Sequence, residues 1–151
     1  MNSVHFVSRR IKYESEYDDQ DELSFYENEE VVLSECINKS IHYFMLKEVD
    51  RNGTFIVLEN TSLRDAADLS DWTVKRDVDG TEFRYTFPFN FILQPTKTVT
   101  VWARDQGGKD SPPDSVISYS TSTFGVGKVA KTTLLNNKNV EMARHIEEVL
   151  S

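Results

Sequence analysis

The chain has 151 residues, of which 38% are apolar and 28% are charged, and its formal net charge is -8. This length allows one domain with a workable core, plus a tail. No apolar run approaches the ~20 residues that cross a bilayer. The single cysteine, Cys36, cannot form an internal disulfide. These features exclude a helical membrane protein and a disulfide scaffold, and they favour an intracellular protein.

The negative charge is concentrated near the beginning of the chain. Between Glu14 and Glu35 there are ten acidic residues and no lysine or arginine. A strongly acidic stretch with few aliphatic residues buries too little surface to offset chain entropy. We therefore predict that residues 1–40 form a largely disordered acidic leader, with a candidate short strand or docking turn at 31–33.

From residue 41 onward, short β-like runs alternate with turn signals, which is typical of a sandwich. Residues 43–49 and 54–59 are the first two predicted strands. They flank Asp50-Arg51-Asn52-Gly53, in which Asn-Gly is a strong hairpin signal because both residues tolerate positive φ. The pattern predicts a first hairpin at this point.

A second hairpin is predicted from residues 72–77 and 81–87, which flank the turn Val78-Asp79-Gly80. Along the second strand, aromatic residues alternate with polar ones, as a half-buried strand requires. Pro88 ends the strand because proline has no N–H to donate. The aromatic residues expected to form the core are Trp72, Phe55, Phe83, Tyr85 and Phe87.

The remaining predicted strands are residues 98–104, 116–119, 129–135 and 140–144. About eight strands with almost no helix indicate an all-β fold, an immunoglobulin-like antiparallel β-sandwich over residues 41–146. A short C-terminal tail follows at 147–151. The sequence contains no heptad repeat.

Several motifs keep a regular order and spacing between about Phe44 and His145. They are Asp71-Trp72-Thr73-Val74-Lys75-Arg76, Tyr85-Thr86-Phe87-Pro88, Leu93-Gln94-Pro95, Val99-Thr100-Val101-Trp102-Ala103-Arg104, Ser111-Pro112-Pro113, Phe124-Gly125-Val126-Gly127, Leu134-Leu135-Asn136 and Val140-Glu141-Met142-Ala143-Arg144. In this order and spacing they resemble the lamin-tail domain of intermediate filament proteins. Three runs are most similar to the tails of invertebrate cytoplasmic intermediate filament proteins: Leu58-Glu59-Asn60-Thr61-Ser62, Asp68-Leu69-Ser70-Asp71-Trp72 and Ala103-Arg104-Asp105-Gln106-Gly107-Gly108.

Two positions depart from the family pattern. The family usually has tryptophan where Phe124 stands, and a glycine after proline where Thr96 stands. The coiled-coil rod is also missing from this sequence. The resemblance implies the sandwich fold and a non-catalytic structural or interaction role.

The sequence offers no motif for enzymatic or cofactor chemistry. Its histidines, His5, His42 and His145, are far apart, and no Cys/His pair has metal-ligand spacing. The glycines of Gly125-Val126-Gly127 are better explained by a turn than by a phosphate site, because no strand–turn–helix context surrounds them. We therefore predict no catalytic residue, no cofactor and no metal site.

The candidate partner-binding residues are Trp102, Lys75, Arg76, Arg84 and Arg104. On the strand at 98–104, Val99 and Val101 share one face, so Trp102 points to the other and could anchor a partner. Alternatively, Trp102 only covers a neighbouring strand or the outer end of the sandwich. The four cations could form a basic patch on neighbouring strands, or they could simply be solvated.

Three function hypotheses follow. The first is a protein-interaction module that binds intermediate filament or nuclear-envelope proteins, most simply in the cytoplasmic filament network. The second is a nuclear module that contacts chromatin, although the acidic leader argues against nucleic acid as a partner. The third is a shortened filament relative with no assembly role. We predict no membrane insertion, and the sequence does not decide whether the chain self-associates.

Overall fold

The computed structural model describes the backbone of residues 3–15, 33–37 and 42–150, and the side chains of residues 43–149. All regular secondary structure in these ranges is β-strand, and they contain no helix. In chain order the strands are β1 (Ser3–Ser15), β2 (Leu33–Ile37), β3 (His42–Val49), β4 (Phe55–Asn60), β5 (Ala67–Asp68), β6 (Thr73–Val78), β7 (Thr81–Thr86), β8 (Ile92–Leu93), β9 (Thr98–Ala103), β10 (Ser115–Ser118), β11 (Val129–Leu135) and β12 (Glu141–Leu150). The all-β prediction is therefore confirmed.

The strands form a sandwich with two halves. One half contains β3, β4, β9 and β10, and the other contains β6, β7, β11 and β12. The hydrogen-bonded order is β10-β9-β4-β3-β1-β12-β11-β6-β7, and β2 pairs with β1. Strand β1 joins the halves, because it pairs with β12 along most of its length and then with β3. Neighbouring strands are antiparallel except for β9–β10 and β1–β2, and β5 and β8 form a separate two-stranded sheet.

One apolar core fills the space between the halves. Inward and outward residues alternate along β4, β6 and β9, as the two-residue period of a strand requires. The largest fully buried aromatic residues are Phe44, Phe87 and Phe124. Trp72, Phe83 and Tyr85 are only partly buried and pack against this core. Burial, together with the nearby Asp110 carboxylate, raises the pKa of Tyr85 to about 12.

Both predicted hairpins are present, and the glycine of each turn has positive φ, whereas Asn52 in the first turn does not. Gly53 has φ 74° between β3 and β4, and Asp79 and Gly80 have φ 49° and 92° between β6 and β7. A Cβ on Gly53 would lie 2.7 Å from the backbone nitrogen of Gly125. The first turn therefore needs glycine for its conformation and also for the close approach of the 124–125 loop.

The structure differs from the predicted disordered leader in two ranges. It describes strands at Ser3–Ser15 and Leu33–Ile37, and the candidate strand at 31–33 coincides with the latter only at Leu33. The physical reason is backbone pairing: β1 hydrogen-bonds to β12 and β3, a contact that does not depend on a regular apolar pattern. The rest of the leader, including most of the acidic run, lies outside the described residues.

Candidate interaction surface

Trp102 lies on the outer face of the β4-β9-β10 layer. Its neighbours Val99, Val101 and Ala103 point inward and are buried, so the predicted orientation of Trp102 is found. The indole is half-buried. It contacts the ring of Phe55 on β4, with the ring centroids 5.2 Å apart. The backbone of Gly108 also covers it, since a Cβ there would lie 2.0 Å from the indole Cγ.

Strand pairing extends this aromatic contact into a row. Phe55 is the register partner of Trp102 on β4, and Ile117 is its partner on β10. All three side chains are half-buried, and we call them the apolar row. Sequence reasoning identified only Trp102, because the other two become neighbours through long-range strand pairing.

Arg104 and Tyr119 lie beside the apolar row, just beyond the ends of β9 and β10. The Arg104 guanidinium donates to the Tyr119 carbonyl at 3.0 Å, and its Nε is 3.6 Å from Asp105 Oδ2. The Tyr119 side chain is 60% exposed. An indole, a phenol and a guanidinium are the groups that dominate protein-binding hot spots.

Arg76 is buried, contrary to its predicted place in an exposed basic patch. The residue is 1% exposed and lies on the inward face of β6, between Val74 and Val78. Its guanidinium therefore cannot reach a partner protein. The predicted surface role of Arg76 is wrong.

The Arg76 guanidinium instead holds several segments of the sandwich together. Nε donates to the Phe124 carbonyl at 2.8 Å, and Nη1 donates to Thr132 Oγ1 at 3.1 Å and to Glu147 Oε1 at 2.8 Å. Nη2 lies 3.5 Å from the Gly125 carbonyl. A buried charge is tolerated only when it is paired and hydrogen-bonded in this way.

His145 lies close to this buried ion pair on β12. The residue is 8% exposed. Burial lowers the pKa of the imidazole, and the Arg76 charge lowers it further, whereas the Glu147 carboxylate raises it. Burial is the largest of the three effects, so the arrangement favours neutral His145.

Lys75 and Arg84 do lie together, on the outer face of β6 and β7, where they are register partners. Arg84 forms an ion pair with Glu82 on its own strand. A shallow groove of about 330 Å³ beside Lys75 is lined by both signs of charge: Lys75, Lys131, Asp77 and Asp79, with Gly80, Val129 and Thr133. This face is therefore mixed in charge rather than basic.

The predicted basic patch is thus divided. Lys75 and Arg84 are on the half that contains β6 and β7, whereas Arg104 follows β9 on the other half. Arg76 is inside the core.

In the part of the chain that the structure describes, no group of three or more His, Cys, Asp or Glu residues could hold a metal ion. No helix in that part is long and apolar enough to span a membrane.

The sequence of this chain is similar to known proteins of one family. A family model described as Lamin Tail Domain matches residues 27–147, beginning inside the segment that the sequence assigned to the leader. The muscle cell intermediate filament protein OV71 of Onchocerca volvulus is 43% identical over 103 residues, which cover 68% of this chain and 24% of that protein.

Two further relatives show the same pattern. Intermediate filament protein A of Ascaris suum is 41% identical over 68% of this chain and 21% of its own length. Intermediate filament protein ifa-2 of Caenorhabditis elegans is 43% identical over 68% of this chain and 18% of its own length. The chain therefore spans less than a quarter of the length of these relatives, and the motif-based resemblance is confirmed.

Proposed function

Because this chain belongs to the lamin tail domain family, we propose that it is a non-catalytic structural and protein-interaction module of the intermediate filament cytoskeleton. The observation that carries the proposal is its similarity to one part of several intermediate filament proteins, at 41–43% identity in the three compared above. A module of this kind acts by presenting a folded surface to a partner. The proposed partners are filament proteins, and the proposed location is the cytoplasmic filament network.

We assign the apolar row as the contact surface for the filament. Phe55, Trp102 and Ile117 provide apolar area, and the exposed Tyr119 and Arg104 provide polar groups at its border. This composition is that of an interface with an apolar centre and a polar rim. Since a half-buried indole already has fixed packing, little side-chain entropy is lost when a partner covers it.

The first test is the location of the tagged full-length chain in its own cells, co-stained for cytoplasmic filaments and for the nuclear lamina. Signal that coincides with the cytoplasmic filaments is expected. A nuclear rim would instead favour nuclear-envelope or chromatin contact. A diffuse signal would favour a shortened relative with no assembly role, and either result would contradict the proposal.

The second test addresses the surface. Reassembled cytoplasmic intermediate filaments from the same cells are sedimented with purified wild-type chain, Trp102→Ala or Arg104→Glu. Loss of a central hot-spot side chain typically costs ~2 kcal/mol or more, which corresponds to roughly 30-fold weaker binding for Trp102→Ala. Arg104→Glu is expected to reduce binding less, because it lies at the border.

Lys138→Glu, in the turn between β11 and β12, is the matched control and should bind like wild type. Circular dichroism and urea unfolding show whether each variant is folded under the assay conditions. Equal binding by folded Trp102→Ala and wild type would overturn the assignment of the apolar row. It would leave the localisation result to decide the function itself.

Nucleic acid is not the proposed partner. Arg76 is buried, and Arg84 and Arg104 already have carboxylates beside them. Phosphate binding would therefore be weak. A binding titration with duplex DNA at roughly 50 and 200 mM salt measures this, because phosphate contacts give a steep salt dependence. Tight binding with such a dependence would favour the chromatin hypothesis.

A further inference from the structure

Strand β7 is the last strand at one end of the long sheet. Within the described ranges it hydrogen-bonds along one side only, to β6. An edge strand of this kind presents a row of backbone donors and acceptors that can pair with another strand. The question is which strand fits the edge.

The backbone groups that face away from β6 belong to alternate residues. The N–H of Phe87 donates to the Trp72 carbonyl at 2.8 Å, and the Phe87 carbonyl accepts from Asp71 N–H at 3.1 Å. Hydrogen-bonded and non-bonded positions alternate along an antiparallel pair, so the backbone N–H and C=O groups of Phe83 and Tyr85 also point toward β6. The N–H and C=O groups of Glu82, Arg84 and Thr86 therefore point to the free side, which we call the β7 edge.

Like charges face each other across the β6–β7 hairpin. Lys75 is the register partner of Arg84, and Asp77 is the register partner of Glu82. Like charges directly opposite one another destabilise a sheet. The side chains of Arg84 and Glu82 pair with each other along β7 and remain 52% and 41% exposed. A strand that placed an acid beside Arg84 and a base beside Glu82 would therefore fit this edge.

We propose that the β7 edge pairs with the β7 edge of a second copy of this chain, antiparallel and centred on Phe83. In this register, Glu82 of each copy faces Arg84 of the other, and their outward backbone groups hydrogen-bond. The two copies of Phe83 meet on the inner face. The sequence of β7 is thus complementary in charge to itself.

The neighbouring registers lack this complementarity. Side chains that face each other across a strand pair must lie on the same face of the sheet. The two nearest alternative registers are therefore centred on the residues beside Phe83, which are Glu82 and Arg84. Centring the pair on Glu82 places the two glutamates opposite each other. Centring it on Arg84 places the two arginines opposite each other. Charge therefore selects the register centred on Phe83.

Sedimentation velocity of the full-length chain tests the proposal. One strand pair is smaller than the ~1,600 Å² of a standard interface, so the measurement covers about 10 µM to about 1 mM. Wild type is expected to form dimers within this range. Glu82→Arg places arginine opposite arginine, and Arg84→Glu places glutamate opposite glutamate, so each variant alone should associate at least about tenfold more weakly.

An equimolar mixture of the two variants is the decisive sample. Each variant supplies the charge that the other lacks, so opposite charges again face each other, and heterodimers should form with roughly the wild-type affinity. Lys131→Glu, a change on the same outer face but on β11, is the matched control and should dimerise like wild type. Urea unfolding of each variant confirms that the monomers are folded.

Three results would overturn the proposal. They are a wild-type chain that stays monomeric throughout the range, single variants that dimerise like wild type, and a mixture that stays monomeric. The second result would place any dimer contact on another surface. None of them bears on filament binding, because the apolar row lies on the other half of the sandwich.

Discussion

Replacing Arg76 by methionine should destabilise the fold by about 3–5 kcal/mol, the usual cost of removing one partner of a buried ion pair. The Arg76 and Glu147 side chains are 2% and 7% exposed, so water has little access to the Glu147 carboxylate once its cation is removed. The variant leaves the Glu147 carboxylate buried without its cation. It also removes the donors to the Phe124 and Thr132 oxygens. Since a domain of this size is stable by about 5–15 kcal/mol, the loss is a large fraction of its margin.

Replacing both partners should cost much less than the two single changes together. Arg76→Met with Glu147→Leu removes both charges and fills the space with apolar groups of similar volume, which is often close to neutral. The carbonyl oxygens of Phe124 and Gly125 would still lose their donor. We therefore expect the double variant to cost about 1–3 kcal/mol, mainly through those unsatisfied carbonyls.

Urea unfolding at neutral pH measures the three variants against wild type, and an unchanged m-value shows that the free energies are comparable. The single and double variants of Arg76 and Glu147 form a double-mutant cycle, and the exposed pair of Glu82 and Arg84 provides a matched control cycle. Its variants, Arg84→Met and Glu82→Leu, should leave unfolding almost unchanged because solvent screens that pair. A loss below ~1 kcal/mol for Arg76→Met, or the same coupling in both cycles, would refute the reasoning.

Three further predictions concern single positions. Thr96 is the third residue of the turn Gln94-Pro95-Thr96-Lys97 and has φ 67°, a left-handed conformation that favours glycine. Thr96→Gly should therefore stabilise the fold by about 1 kcal/mol, measured as a higher urea midpoint. Because the pKa of His145 is lowered from 6.5, the unfolded chain binds the proton more readily, and stability should fall as the pH decreases below about 6.5. His145→Gln should flatten this dependence between pH 7.5 and 5.5, roughly the range in which histidine titrates. Trp72 is partly buried, with its ring 4.9 Å from that of Phe44, so Trp72→Ala should cost about 2–3 kcal/mol in urea unfolding, and less than ~1 would show that the indole is not packed.

The strands could be predicted from the sequence because their signals are local. The predicted strand at 129–135 coincides with β11, and the two turns with Asn-Gly and Asp-Gly are found between β3 and β4 and between β6 and β7. Alternation also predicted the outward orientation of Trp102. Strand β1 could not be predicted this way, since its hydrogen-bond partners lie at the far end of the chain and in β3.

The surface was harder to predict because it depends on which strands are neighbours. Lys75 and Arg84 are joined by a short hairpin, and their adjacency follows from the turn. Arg104 is separated from them because β9 belongs to the other half of the sandwich, which no local pattern reveals. Arg76 is a different case: its position between the buried Val74 and Val78 already indicates an inward side chain. There the alternation of the strand was a better guide than the charge of the residue.

The partner of Arg76 also bears on where the folding unit ends. The sequence placed the end of the domain at residue 146, yet the buried carboxylate that neutralises Arg76 belongs to Glu147. A fragment ending at 146 would keep the guanidinium in the core and lose its counter-charge, which is the same defect that Glu147→Leu introduces alone. Strand β12 continues to Leu150, and the family match ends at 147. Since an uncompensated buried charge costs several kcal/mol, we propose that a stable fragment must include Glu147.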